Sequence, residues 1–181
     1  VEASLPEKVM AVHRSLAAVE HAFGGALALA YYAEPRATHD IDLNVFVTPD
    51  RVDEVLSALR PEGVAVDGAT TDVLARDGQG RVWIGRTPLD LFFAYDPFHE
   101  ATRAAAHLVP FLGGEIPIIS ATHLTVCKAV FDRPKDWVDI DAMVDLDAPI
   151  DAGEALRWVG RIAGDTDRRF DRLAAVLATP R

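Results

Sequence analysis

The chain has 181 residues, half of them hydrophobic and a quarter charged, which is enough apolar material for a folded core and too much for a disordered chain. Its formal net charge is −10, from 28 Asp and Glu against 18 Lys and Arg, and this speaks against a protein that coats nucleic acid through a general basic surface. A single cysteine, Cys127, excludes an intramolecular disulfide, no Cys/His cluster has zinc-ligand spacing, and no run approaches the ~18–20 apolar residues of a membrane-crossing helix.

The predicted elements begin with a helix over Pro6–Glu20, where Val9, Met10, Val12, Leu16 and Val19 recur at helical spacing. Phe23-Gly24-Gly25 breaks it, and a short apolar helix follows over Ala26–Ala33 until Pro35. Asp40–Val47 alternates as a strand does: Ile41, Leu43, Val45 and Val47 fall on one face, Asp40, Asp42, Asn44 and Phe46 on the other. Thr48-Pro49-Asp50 opens a helix with Asp50 as its cap and Val52, Val55, Leu56 and Leu59 facing inward. From Gly63 to Ala94 the pattern reads as short strands at Val64–Val66, Thr71–Ala75, Val82–Arg86 and Leu89–Ala94, with Asp77-Gly78-Gln79-Gly80 as a hairpin turn. A polar helix is expected over Pro97–Ala106 and a strand pair at Val109–Leu112 and Ile116–Ile119. The last third reads as helices: Ser120 to Phe131, Lys135–Asp145 after Pro134, Asp151–Ala163 and Asp165–Ala178. The fold class expected is therefore α+β: a mixed central sheet flanked by helices, followed by a helical part. The seam is placed near Ser120, giving a core over 1–119 and a helical part over 120–181 that completes the active site.

Three pieces carry chemistry: a double glycine, an Asp-x-Asp on a strand, and a single Asp on a later strand. Alternation points Asp40 and Asp42 the same way, with Cα atoms about 6.5–7 Å apart. Carboxylates at that spacing can share one divalent ion or bridge two, and magnesium favours such oxygen ligands together with substrate phosphates. Asp90, in Pro88-Leu89-Asp90-Leu91-Phe92-Phe93, can add a third carboxylate if its strand neighbours the first. Gly24 and Gly25 allow backbone to approach a phosphate closely. Arg36 and Thr38 can add a charge and a hydroxyl.

Phe23-Gly24-Gly25-Ala26-Leu27 followed by Arg36-Ala37-Thr38-His39-Asp40-Ile41-Asp42-Leu43 resembles the DNA polymerase beta-like nucleotidyltransferase superfamily, and more narrowly its AbiEii and MenT toxins. A later lysine and Arg-x-Lys-Asp-x-x-Asp segment of those toxins is matched by Lys128 and by Arg133-Pro134-Lys135-Asp136-Trp137-Val138-Asp139. The resemblance implies transfer of an NMP from an NTP to an RNA acceptor, the 3′ end of tRNA, by a toxin that blocks translation and is paired with an antitoxin. It implies Mg2+, or Mn2+ in its place, on Asp40, Asp42 and Asp90. Lys128 and Arg133 are then the cations for the phosphates, and Asp136 or Asp139 orients those cations or assists as a base. The superfamily pattern usually reads Gly-Ser; here the second position is Gly25, and fourteen residues separate it from Asp40. Competing readings are nucleotidylation of a small molecule or a partner protein, and a degenerate fold used as a binding module. The N-terminus lacks the basic-then-apolar order of a secretion signal, so the cytoplasm is the expected location.

Each piece also has a structural explanation. The aspartates can serve turns or ion pairs, Gly24-Gly25 can stop a helix, and Arg133, Lys135, Asp136 and Asp139 can form an ion-pair network at a corner between helices. The arginines Arg157, Arg161, Arg168, Arg169 and Arg172 read as a solvated face, or alternatively as an RNA-contact surface.

Overall fold

A computed structural model describes residues 2–178. Helix α1 spans Leu5–Ser15 and ends earlier than its apolar spacing suggests, because His21–Phe23 forms a three-residue strand, β1. All of β1 is buried, so it has no alternation by which to be recognised. Helix α2 covers Gly25–Leu29, and β2 covers Ile41–Val45 with Asp40 immediately before it. Thr48 precedes a single 3-10 turn at Pro49–Arg51, and α3 then runs Val52–Leu59, burying the four residues expected. Asp50 lies inside the turn and caps nothing.

The segment read as two strands is different. Val64 makes only an isolated bridge to Ile84, and Gly68–Asp77 is helix α4. Asp67 caps α4 by accepting from Thr70 N at 2.7 Å, and Gly78 closes it in the left-handed region at φ +66°. Gly78 is thus a helix stop, and the hairpin turn sits at Gly85 and Arg86, between β3 (Gln79–Ile84) and β4 (Thr87–Phe93). Helix α5 (Pro97–Ala105) and the strands β5 (His107–Phe111) and β6 (Gly114–Ile118) follow as expected. The last helices are α6 (Ala121–Phe131), α7 (Pro134–Asp145), α8 (Ala152–Ala163) and α9 (Arg168–Ala178). Ser120 caps α6 through His123 N, and Pro134 is the first helical residue of α7, where its missing N–H costs nothing.

The chain divides into two compact units, one of Val1–Leu27 with Ala37–Ile119 and one of Ala28–Arg36 with Ser120–Arg181. The first holds a six-stranded mixed sheet in the order β3-β4-β2-β1-β6-β5. β2 runs parallel to β4 and antiparallel to β1, and β1 runs parallel to β6. Ile41, Leu43 and Val45 of β2, Leu89, Leu91 and Phe93 of β4, and Val82 and Ile84 of β3 are buried on one face of the sheet. Burying each such side chain contributes roughly 1.5–3 kcal/mol, and a one-residue slip would turn all of them outward. This burial therefore fixes Asp42, Asp90, Arg81 and Trp83 on the opposite face. In the second unit Trp137, Ile140 and Met143 of α7 are buried with Leu124, Val126 and Ala129 of α6 and Ala155 and Val159 of α8. No helix among the described residues is long and apolar enough to cross a membrane.

Candidate functional site

In the first unit the site is built on three adjacent strands. Arg81 lies opposite Asp90 in the antiparallel β3–β4 pair, and Asp90 lies opposite Asp42 in the parallel β4–β2 pair. The three side chains form one cross-strand row at a strand spacing of about 4.8 Å. Arg81 donates to both oxygens of Asp90, Nε to Oδ1 at 2.6 Å and Nη2 to Oδ2 at 2.7 Å. The Arg81 guanidinium is made more basic first by that paired hydrogen bond, against burial, and the charges of Asp40 and Asp42 add to the effect. All three carboxylates therefore act electrostatically on one arginine.

Asp40 stands at the entrance to β2, where the Thr38 hydroxyl donates to its Oδ1. Thr38 thus engages the carboxylate itself. Gly24 N–H donates to the Asp42 carbonyl at 2.9 Å, extending the β1–β2 ladder to the double glycine. A β-carbon on Gly24 would stand 3.1 Å from Asn44 Nδ2. Gly25 is tighter. Its φ is +53°, and a β-carbon there would lie 1.7 Å from Asp42 Oδ2 and 2.9 Å from Asp42 Cβ. A side chain at the position expected to carry a serine would displace the Asp42 carboxylate.

No group of three or more His, Cys, Asp or Glu stands gathered for a metal ion among the described residues. Asp90 has both oxygens on Arg81, so a three-carboxylate cage is not assembled. Asp40 and Asp42 still fit Mg2+, which takes one or two protein carboxylates and fills its remaining positions with water and phosphate oxygens. The close, side-chain-free approach of Gly25 to Asp42 keeps that carboxylate against bare backbone.

The second unit holds the remaining expected residues in two groups. Lys128, on α6 and 4% exposed, donates to Asp139 Oδ2 at 2.6 Å. Arg36 donates to the same carboxylate, Nε to Oδ1 at 3.1 Å and Nη2 to Oδ2 at 3.0 Å. Burial pushes the Asp139 carboxyl up, but the hydrogen bonds and charges of Arg36 and Lys128 outweigh it and hold it below the ordinary carboxylate value. Asp136, fully buried, caps α7: it accepts from the Arg133 backbone N–H at 3.2 Å and from Arg133 Nε at 2.6 Å. Arg133 also lies 4.9 Å from the centre of the Phe131 ring.

Sequence reasoning missed Arg81. Its one signal is its register against Asp90, and that register depends on a hairpin turn at Gly85 rather than at Gly78.

No family model matches the sequence, and no curated protein does either. The fold is that of solved nucleotidyltransferases. The solution structure of the antibiotic-resistance factor ANT(2'')-Ia superposes with a TM-score of 0.55 at 16% identity, covering 94% of this chain and 89% of that one. The crystal structure of ANT(2'')-Ia in complex with adenylyl-2''-tobramycin superposes at 0.53 and 16% identity, covering 95% of each chain.

Proposed function

We propose that this protein transfers a nucleotidyl group from an NTP to an acceptor hydroxyl, with a divalent metal on Asp40 and Asp42. The observation that supports this most is the row Asp42–Asp90–Arg81 beside the bare backbone of Gly25, on a fold shared with nucleotidyltransferases. When bound, magnesium would neutralise triphosphate charge and orient the α-phosphorus. The acceptor oxygen bonds to that phosphorus, the bond to the β-phosphate bridging oxygen breaks, and pyrophosphate leaves. Asp90, held by Arg81, stands next to Asp42 and adds negative charge beside the metal-binding pair, and the proton of the attacking hydroxyl passes to solvent. Thr38 holds the Asp40 carboxylate, and Gly24 and Gly25 keep side chains away from Asp42. Lys128 and Arg133 remain, on the resemblance alone, the cations assigned to the phosphates. The work required is positioning and charge neutralisation rather than covalent catalysis.

For the acceptor we take RNA, at the 3′ end of tRNA, in a toxin whose activity an antitoxin restrains. The support is the ordered match of Gly24-Gly25, Arg36, Asp40-x-Asp42, Lys128 and Arg133 to Asp139 to the toxin relatives. A second reading, a small amine-bearing acceptor, is favoured by the net charge of −10, which attracts a cation and repels a polyanion, and by the adenylyl-2''-tobramycin bound to the fold neighbour.

The test supplies each α-labelled NTP with Mg2+ or Mn2+ to parallel reactions containing total RNA, tobramycin or protein alone. Label on the 3′ end of tRNA is expected. Label on tobramycin would replace the RNA reading with the second one. No metal-dependent transfer to any acceptor by folded protein would remove nucleotidyl transfer itself.

A further inference from the structure

Strand β3 is an edge of the sheet, and its two faces differ sharply. Val82 and Ile84 are buried, so they fix its register without help from the other face. On that other face stand Arg81 and Trp83, and Trp83 is 49% exposed. A half-exposed tryptophan on an edge strand adds little to the core and exposes apolar area that edge strands usually replace with charge. Its place is specific. Trp83 lies opposite Pro88, one row along from Arg81–Asp90–Asp42 and on the same face of the sheet. One row along and one or two strands across, its backbone position is about 8 Å from that of Asp90 and about 12 Å from that of Asp42. That is the reach of a nucleotide from its base through its sugar to the phosphate.

The geometry points to Trp83 as the platform on which the acceptor's terminal nucleobase stacks, setting the ribose hydroxyl toward Asp90 and Asp42. This rests on the RNA-acceptor form of the proposed function and assigns it a binding surface. Every nucleobase has a π-face, so the platform accepts any terminal base that is unpaired, and it excludes a fully paired end whose bases are stacked on one another. Arg81 stands two residues before Trp83 on the same strand and face, paired with Asp90. It places a cation beside the three carboxylates that a phosphate strand must pass. The occupant assigned is therefore a single-stranded RNA 3′ end.

The test is fluorescence anisotropy with a labelled single-stranded oligoribonucleotide ending in a 3′-deoxynucleotide, which binds without being extended. Trp83→Ala is expected to weaken binding about 10-fold or more, since stacking on an aromatic side chain is worth between about 5-fold and 150-fold per base. Trp83→Phe keeps a ring and is expected to stay within about 3-fold of wild type. Binding of Mn2+ with a non-hydrolysable NTP is expected to be the same in all three proteins, which separates loss of a platform from loss of the fold. Equal RNA affinity in wild type and Trp83→Ala overturns the inference. Absence of RNA binding by wild type with Mn2+–nucleotide binding intact also overturns it, and leaves nucleotidyl transfer standing. Absence of Mn2+–nucleotide binding by wild type is the failure of the transferase reading, and overturns both.

Discussion

Gly25 and Asp42 are packed so closely that a β-carbon on the glycine would stand 1.7 Å from the carboxylate oxygen Oδ2. The Asp42 side chain occupies the space that any other residue at position 25 would fill. Gly25 also has φ +53°, where a side chain adds backbone strain. Gly25→Ser, the change toward the usual superfamily pattern, is therefore expected to harm this protein. The cost expected is about 2 kcal/mol or more, a fall in Tm of roughly 4–8 °C, with weaker Mn2+ binding. Thermal unfolding with and without Mn2+ checks this; an unchanged Tm and metal affinity would show that Asp42 can move aside freely.

Arg81 and Asp90 form an exposed pair, which contributes about 0–1 kcal/mol to stability. Arg81→Met is therefore expected to leave Tm nearly unchanged. It removes a positive charge from beside Asp40, Asp42 and Asp90 and releases both Asp90 oxygens. Metal affinity is expected to rise about 7-fold at low salt, from the Coulomb energy between one arginine charge and a divalent ion at ~7 Å in a water-like medium. Titration of Mn2+ by electron paramagnetic resonance reads this directly. Weaker binding in the variant would mean that Arg81 organises the carboxylates instead of competing for them.

How much of this site was legible in sequence depended on the range of the signal. Asp40 and Asp42 were visible because alternation over Ile41–Val45 is local and is enforced by Ile41, Leu43 and Val45 on the buried face. The strand at His21–Phe23 was not, since three buried residues show no period. Thr71–Ala75 has the β-branched Thr71 and Val73 of a strand, but Asp67 and Gly78 cap that segment as a helix. Moving the hairpin turn from Gly78 to Gly85 is what sets Arg81 against Asp90, and a pairing across strands leaves no mark within either strand. Likewise Arg36 and Asp139, 103 positions apart, meet only through the fold.

Asp139 compensates the buried Lys128. Asp139→Asn leaves that ammonium without its carboxylate and is expected to cost about 3–5 kcal/mol. Lys128→Met, which removes the buried charge itself, is expected to cost less. Because the folded Asp139 carboxyl is held below its ordinary value, its contribution is present above pH 3.8 and is lost as pH falls through the folded value. Urea unfolding of both variants at pH 7 gives the comparison, and equal stability of Asp139→Asn and wild type would refute the assignment.

His13 and His21 meet at 2.9 Å between Nδ1 and Nε2, and His21 Nδ1 donates to the Val19 carbonyl at 2.7 Å. In that tautomer His13 donates and His21 accepts, which requires His21 to be neutral. Burial lowers both from the ordinary 6.5, joined by the charge of Arg14 at His13 and by that of His13 at His21, where the hydrogen bond to Val19 opposes it. The unfolded chain then binds more protons than the folded one, so stability is full above pH 6.5 and falls as pH drops through the lowered values. Tm measured from pH 7.5 to 5 is expected to decline, with a shallower decline in His21→Gln; a flat profile in wild type would count against the linkage.

The most direct measurement is transfer from α-labelled NTP in the presence of Mg2+, comparing wild type with Asp42→Asn, which keeps the shape of the side chain and removes its charge. The account predicts metal-dependent transfer by wild type and a loss of at least about 100-fold in the variant, with unchanged circular dichroism. Equal transfer by the two proteins, or transfer by wild type that does not require a divalent metal, would contradict it.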